Sequence, residues 1–116
     1  MVEYRVSCKN MPVAEKVFLA NDPISRMVGL MFRSGLHEGE GLLIRPCNSI
    51  HTFFMRFNID VLFLDKEYRV LKIIRNLRPW RMTRMYFKAS QVLELQGGTL
   101  SEEIHENDQL EVLCTN

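Results

Sequence analysis

The chain has 116 residues, 47% of them apolar and 25% charged, with a net charge of +1. This is enough for one domain with a real core (residues 1–116), and the bulk charge singles out no class of partner. Cys8, Cys47 and Cys114 form no CxxC pair, which excludes a closed disulfide framework and argues against a zinc knuckle, and no apolar run reaches the length of a bilayer span.

Residues 2–8 alternate Val2, Tyr4 and Val6 with Glu3, Arg5 and Ser7, the pattern of a short strand. These first residues carry acid and base and no signal-peptide core, so a cytoplasmic location is expected. Asn10-Met11-Pro12 is a turn signal, and residues 15–20 fit the second strand of a hairpin. Asp22 followed by Pro23 opens a helix, because Asp22 can accept orphan amide hydrogens and Pro23 loses nothing at the first helical position. Ile24, Met27, Val28 and Met31 then share one helical face, expected to lie on a sheet, and Gly35 ends the helix. A polar, Gly-rich loop follows over 37–41, then a short strand over 42–44 that stops before Pro46.

The longest apolar block runs from Ile50 to Asp65 and is expected as two strands, about 50–56 and about 59–65. A hairpin turn at 65–68 returns the chain along 69–74. Residues 75–88, with Pro79 and Trp80, form a long irregular loop. Residues 90–96 are a strand broken by Gly97-Gly98, and Thr99 with Glu102 forms a capping box for a second short helix ending near His105. A turn at Asn107-Asp108 leads to a last strand over 109–113. The sum is an α+β, β-rich domain: a curled, partly barrel-like antiparallel sheet of six to seven short strands with two short helices.

Polar residues inside the apolar block need partners, since an unpaired buried polar group costs roughly 1–3 kcal/mol. His51, Arg56 and Asp60 are these residues. Asp60 shares a strand face with Leu62 and Leu64, either as a structural ion pair or backbone cap, or as the floor of a small pocket beside Arg56 and His51. Arg56 offers a fork suited to carboxylate or phosphate, and His51 titrates near neutrality.

Arg69, Lys72, Arg75, Arg78, Arg81 and Arg84 fall at every third residue and Lys88 follows, with no acid between 69 and 88. The rest of the chain then holds eight bases against fourteen acids, a net of −6. Arg78, Trp80, Arg81 and Arg84, interleaved with Tyr86 and Phe87, suit an anionic ligand or an acidic protein surface, and less specifically single-stranded nucleic acid. The plainer reading is a solvated loop whose Trp80 covers one end of the sheet. No GxSxG, P-loop, HExxH or GxGxxG is present, and His37, His51 and His105 are dispersed. Neither a catalytic residue, a metal site nor a cofactor is assigned. A Cys47–His51 nucleophile pair, four residues apart, is the one thiol arrangement to check.

Several stretches carry a resemblance, in order along roughly 20–112. They are Arg26-x-x-Gly29-Leu30-Met31-Phe32-Arg33, Gly41-Leu42-Leu43-Ile44 with Pro46, His51 through Asp65, Arg78-Pro79-Trp80, and Val92-Leu93-Glu94-Leu95-x-Gly97-Gly98. Together they resemble the domain of unknown function 192 family of bacteria and archaea. The resemblance implies a single small α+β domain with a curled antiparallel sheet and transfers no catalytic residue. Asn58 stands where the family often has Pro, Lys66-Glu67-Tyr68 where it often has Gly, and Asn107 where it often has Gly before Asp. Asn tolerates a left-handed backbone, so the last turn is expected to survive. Many relatives carry an export or lipid-attachment signal, which these residues do not show.

The leading expectation is a non-catalytic binding or interaction module for an anionic ligand or partner. The alternative is a small hydrolase or transferase using His51 and Asp60 as an acid–base pair, which must then meet in a cleft. A third is a structural subunit, which an exposed apolar patch of methionines with Phe53 or Phe87 would favour.

Overall fold

The amino-terminal alternation becomes a hairpin in the computed structural model, which describes residues 2–115. β1 (Glu3–Cys8) pairs antiparallel with β2 (Met11–Ala20). The turn is Lys9-Asn10, one step earlier than expected. Both residues have positive φ, 52° and 62°, as a tight two-residue hairpin turn requires.

The next helix, α1 (Pro23–Val28), begins where the sequence implies. Asp22 accepts the Ser25 N–H at 2.8 Å, and Ser25 Oγ accepts the Asp22 N–H at 3.4 Å. It stops at Gly29, not Gly35, and its expected apolar face is inverted: Ile24, Met27 and Val28 are exposed. α1 is therefore not a layer packed on the sheet.

β3 (Glu40–Ile44), β4 (Ile59–Leu64), β5 (Val70–Leu77), β6 (Gln91–Gln96) and β7 (Glu111–Cys114) complete one seven-stranded sheet in the order β5-β4-β6-β3-β2-β1-β7. The pairing is antiparallel except between β2 and β3, which run parallel. A parallel pair needs a long crossover, and residues 21–39 with α1 supply it. The sheet stays open, with β5 and β7 as its end strands. It curls enough that the ends meet, through an Arg69↔Gln109 bridge and backbone bonds from the Val70 N–H to the Asp108 carbonyl at 2.8 Å, from Asn107 to Val70 at 2.7 Å and from Leu110 to Tyr68 at 3.1 Å.

Two expected elements are absent. Residues 50–56 are not a strand. His51 makes one bridge to Met82, and the chain then turns through Phe54 at φ 64°. Thr52, fully buried, explains the diversion: its hydroxyl accepts the Arg81 N–H at 2.9 Å and donates to the Arg78 carbonyl at 2.6 Å. It ties the segment to a loop instead of to a strand. Residues 99–105 are turns, not a second helix. Thr99 Oγ donates back to the Gln96 carbonyl, and the Leu100 N–H goes to Asp60. Arg75 takes the carbonyls of Leu100, Ser101 and Ile104. Side chains elsewhere claim the groups that a helix would have paired internally.

The family-type departures are accommodated by the backbone. Tyr68 and Asn107 stand in the left-handed region, at φ 67° and 75°. Gly97 sits where a Cβ would lie 2.8 Å from the Asn58 carbonyl oxygen, so only glycine fits without movement.

The central strands β4 and β6 are buried on both faces. Leu43, Leu62, Leu64, Leu93 and Leu95 fill the inside of the curl with Leu100, Ile104 and Leu110. Ile44, Ile59, Val61, Phe63 and Val92 face the other way, beneath Leu30, Ile50, Met55 and Phe57. This second layer carries the loops described next. Among the described residues, no helix is long and apolar enough to cross a membrane.

Candidate functional site

The polar residues of the central block do not converge. Asp60 lies on the inner face with Leu62 and Leu64, 1% exposed. Its Oδ1 accepts the Asn76 N–H and its Oδ2 the Leu100 N–H, each at 2.9 Å. It is a backbone cap holding the 99–105 turns against β5. His51 lies on the outer side, half-buried, and Arg56 is exposed. His51 and Asp60 therefore sit on opposite faces of the sheet and form no acid–base pair.

The basic run divides in two. Arg69, Lys72 and Arg75 are spent inside the fold. Arg69 donates to the Asn107 carbonyl at 2.7 Å, Lys72 pairs with Glu106 at 3.8 Å, and Arg75 holds three carbonyls. Arg78, Arg81, Arg84 and Lys88 are exposed, and among the described residues none of them has an acidic partner within ion-pair distance. Arg84 lies over the Tyr86 ring, 5.2 Å from its centroid.

Beside these arginines runs a connected row of rings. Phe32 and Phe54 have centroids 5.4 Å apart, Phe54 and Trp80 4.7 Å, Trp80 and Phe53 5.9 Å, and Phe53 and His51 5.0 Å. Phe32, Phe54 and Trp80 are about half exposed, and Met82, Met85 and Phe87 extend the apolar surface. All three exposed rings stand on left-handed backbone, with φ 67° at Phe32 and 64° at both Phe54 and Trp80. Such a conformation disfavours bulky L-residues and needs surrounding structure to enforce it. The Thr52 bonds, with the Trp80 and Met55 N–H groups on the Thr52 carbonyl, hold Phe54 and Trp80, and the Phe32 N–H is tied to the Phe54 carbonyl at 3.0 Å.

Behind the row, α1 and the 44–55 loop roof a cavity of about 240 Å³. Its polar groups are Arg26, Cys47, Ser49, His51 and Glu94. Glu94 is the residue the sequence reading passed over. It points to the outer face of β6, 3% exposed, and among the described residues no hydrogen bond or ion pair reaches its carboxyl. Burial alone pushes its pKa up to about 8. The signal was present: a lone carboxylate within Val92-Leu93-Glu94-Leu95, the same anomaly that marks Asp60.

Cys47 and His51 both line this cavity, but they do not make an activated nucleophile. The Cys47 thiol donates to the Ser49 carbonyl at 3.1 Å. Burial raises its pKa, and the nearby Glu94 charge adds to the rise, which disfavours the thiolate. His51 Nδ1 accepts the Phe53 N–H at 3.2 Å, so the neutral ring carries its proton on Nε2. A larger groove of about 780 Å³ lies elsewhere, with Glu15, Glu38 and Glu40 on its walls and none of the free arginines.

Comparison with known proteins finds two archaeal relatives, a solved structure and a family model. UPF0127 protein PH1112 of Pyrococcus horikoshii is 36% identical over 99 residues, covering 83% of this chain and 84% of that protein. UPF0127 protein PYRAB11210 of Pyrococcus abyssi is 39% identical over 82 residues, covering 68% and 69%. A crystal structure of a protein of unknown function from Novosphingobium aromaticivorans superposes with a TM-score of 0.81 at 23% identity, over 95% of this chain and 84% of that one. That likeness speaks for the fold alone. The DUF192 family model, described as "Uncharacterized ACR", matches residues 5–112, and the chain belongs to this family.

Proposed function

We propose that the protein is a non-catalytic binding module that docks an acidic protein surface on its aromatic and arginine face. One observation carries the reading: three exposed rings held on left-handed backbone, beside arginines with no acid of their own. Backbone held in this region costs about 1–3 kcal/mol per residue, and it persists where a surface is shaped for use. The composition is that of an interface core. Aromatic residues, Met and Arg are enriched at such cores and acids are depleted. The curled sheet, read as a partly closed barrel whose ends meet at Arg69 and Gln109, is the rigid base. An acidic partner is favoured over single-stranded nucleic acid because the rings tilt against one another and offer few free faces for stacked bases.

The test is a shift titration of isotopically labelled protein with an acidic peptide containing Leu and Trp, a poly-glutamate peptide and a short oligo-dT. The first is expected to bind best, with shifts clustered on 51–56 and 78–87. Replacing Arg78, Arg81 and Arg84 with Gln is expected to weaken it by roughly tenfold and flatten its salt dependence. Trp80→Gly is expected to abolish binding yet leave stability within about 1 kcal/mol, because relief of the left-handed backbone offsets the lost ring contacts. Tighter binding of oligo-dT than of either peptide would replace this reading with a nucleic-acid one.

A further inference from the structure

The cavity behind the aromatic row holds a feature that the docking face does not use. Glu94 is a carboxyl 3% exposed, without a hydrogen-bond or ion-pair partner among the described residues, at the wall of an otherwise mostly apolar space. A buried polar group without a partner is costly, and natural interiors seldom leave one so. The cavity of about 240 Å³ corresponds to the liquid-volume share of roughly eight waters at about 30 Å³ each, so it has room for a small organic molecule.

We propose that this cavity is a binding site for a small acyl compound, a short-chain carboxylate or its amide, whose oxygen meets Glu94 and whose chain lies among Leu30, Ile44, Ile50 and Met55.

The choice of ligand follows from which hydrogens the site offers. His51 Nδ1 is already occupied by the Phe53 N–H, which leaves Nε2–H to donate. Arg26, at the mouth, has only donors to give. Cys47 has given its own hydrogen to the Ser49 carbonyl. Glu94 is the one acid lining the cavity, and as a neutral acid it too donates an O–H. The Ser49 hydroxyl can donate as well as accept, so the site offers chiefly donors and suits an acceptor. An amine would bring more hydrogens and meet the arginine's charge. Leu30, Ile44, Ile50 and Met55 are the walls that a short hydrocarbon chain would contact. The charged and titratable groups facing Glu94 are Arg26 from α1 and Cys47 and His51 from the loop over the cavity.

The site shares His51 with the row of rings, but none of Arg78, Arg81 and Arg84 lines it. Substitutions at Arg78, Arg81 and Arg84 should leave it untouched, and changes at Glu94 should leave peptide docking untouched.

The experiment uses methyl-labelled methionine in the full chain, titrated with butyrate, butyramide and butylamine at pH 7 and pH 9.5. Butyrate and butyramide are expected to shift Met27, Met31 and Met55 saturably at pH 7. Butyrate affinity should fall about thirtyfold at pH 9.5, the fraction of neutral acid left some 1.5 pH units above a pKa of about 8. Glu94→Gln keeps a neutral donor, so it should bind butyrate at both pH values and remove that dependence. This also separates Glu94 from any titration of Cys47. The proposal is overturned if butylamine binds in place of butyrate, or if neither acyl compound gives saturable shifts. It is overturned equally if wild-type butyrate affinity is the same at both pH values. The wild-type titrations decide the matter even if the variant does not fold.

Discussion

Glu94→Gln is expected to stabilise the protein by about 4 kcal/mol at pH 8 relative to any difference seen near pH 4. The folded carboxyl has its pKa raised from 4.5 to about 8, with desolvation as the cause. Below the unfolded value both states are protonated, and the group carries no penalty. As pH rises from 4.5 to about 8, the unfolded chain releases a proton that the folded chain keeps. Each pH unit of that window then removes about 1.4 kcal/mol of stability. Glutamine holds no proton to lose, so its profile lacks this fall. Asp22 and Asp108, both lowered from 3.8 chiefly by backbone hydrogen bonds, act in the opposite sense and below this window. They stabilise above the unfolded carboxylate pKa and lose their effect in acid. Urea unfolding of both proteins from pH 4 to 9 measures the difference directly. Parallel wild-type and variant profiles between pH 5 and 8 would contradict a buried, unpartnered acid.

Asp60→Ala should be the most damaging single truncation in the inner layer, at about 4 kcal/mol. Two backbone N–H groups, of Asn76 and Leu100, lose a charged acceptor at once. Hydrogen bonds to a charged group are worth about 1.5–3 kcal/mol each, and a buried donor left bare keeps the full desolvation cost. Leu100 is buried, so water cannot readily replace the lost acceptor. Asp60→Asn should be nearly as harmful, since one side of the amide presents hydrogens to an N–H. Total stability of an ordinary domain is only about 5–15 kcal/mol, so the alanine variant should melt far below the wild type. Amide exchange locates the effect: Leu100 and the 99–105 turns should lose protection before β3 and β6 do. Coincident melting curves for wild type and Asp60→Ala would refute the capping role.

What the sequence discloses is local. The Asp22-Pro23 helix start held because its hydrogen bonds involve residues three apart. The 59–65 and 90–96 strands were readable from apolar runs that fit two buried faces. The misreadings share a physical origin in distant side chains. Residues 50–56 have the same composition as a strand, and bonds to the distant 78–83 loop, chiefly through Thr52, divert them. Thr99-x-x-Glu102 looks like a capping box, yet Asp60 and Arg75 take the backbone groups first. The apolar face of α1 was legible, but not that it would look outward. The period of three in the basic run likewise concealed a division of labour, with three residues bonding the 100–107 segment and the others left exposed. Glu94 required the same scrutiny that Asp60 received, plus the knowledge that nothing crosses the sheet to meet it.

The pairing of β1 with β7 has a consequence for synthesis. Val6 lies opposite Val112, so the outer edge of β1 is covered by β7, which follows the other six strands in the chain. A chain emerging from the ribosome can form the β1–β2 hairpin as soon as residues 3–20 are out. It then carries an uncovered strand edge until residues 111–114 are out. An exposed edge invites pairing with other chains. A nascent chain stalled before β7 should therefore be prone to aggregate or to recruit a chaperone, and emergence of β7 should end that exposure in a single step.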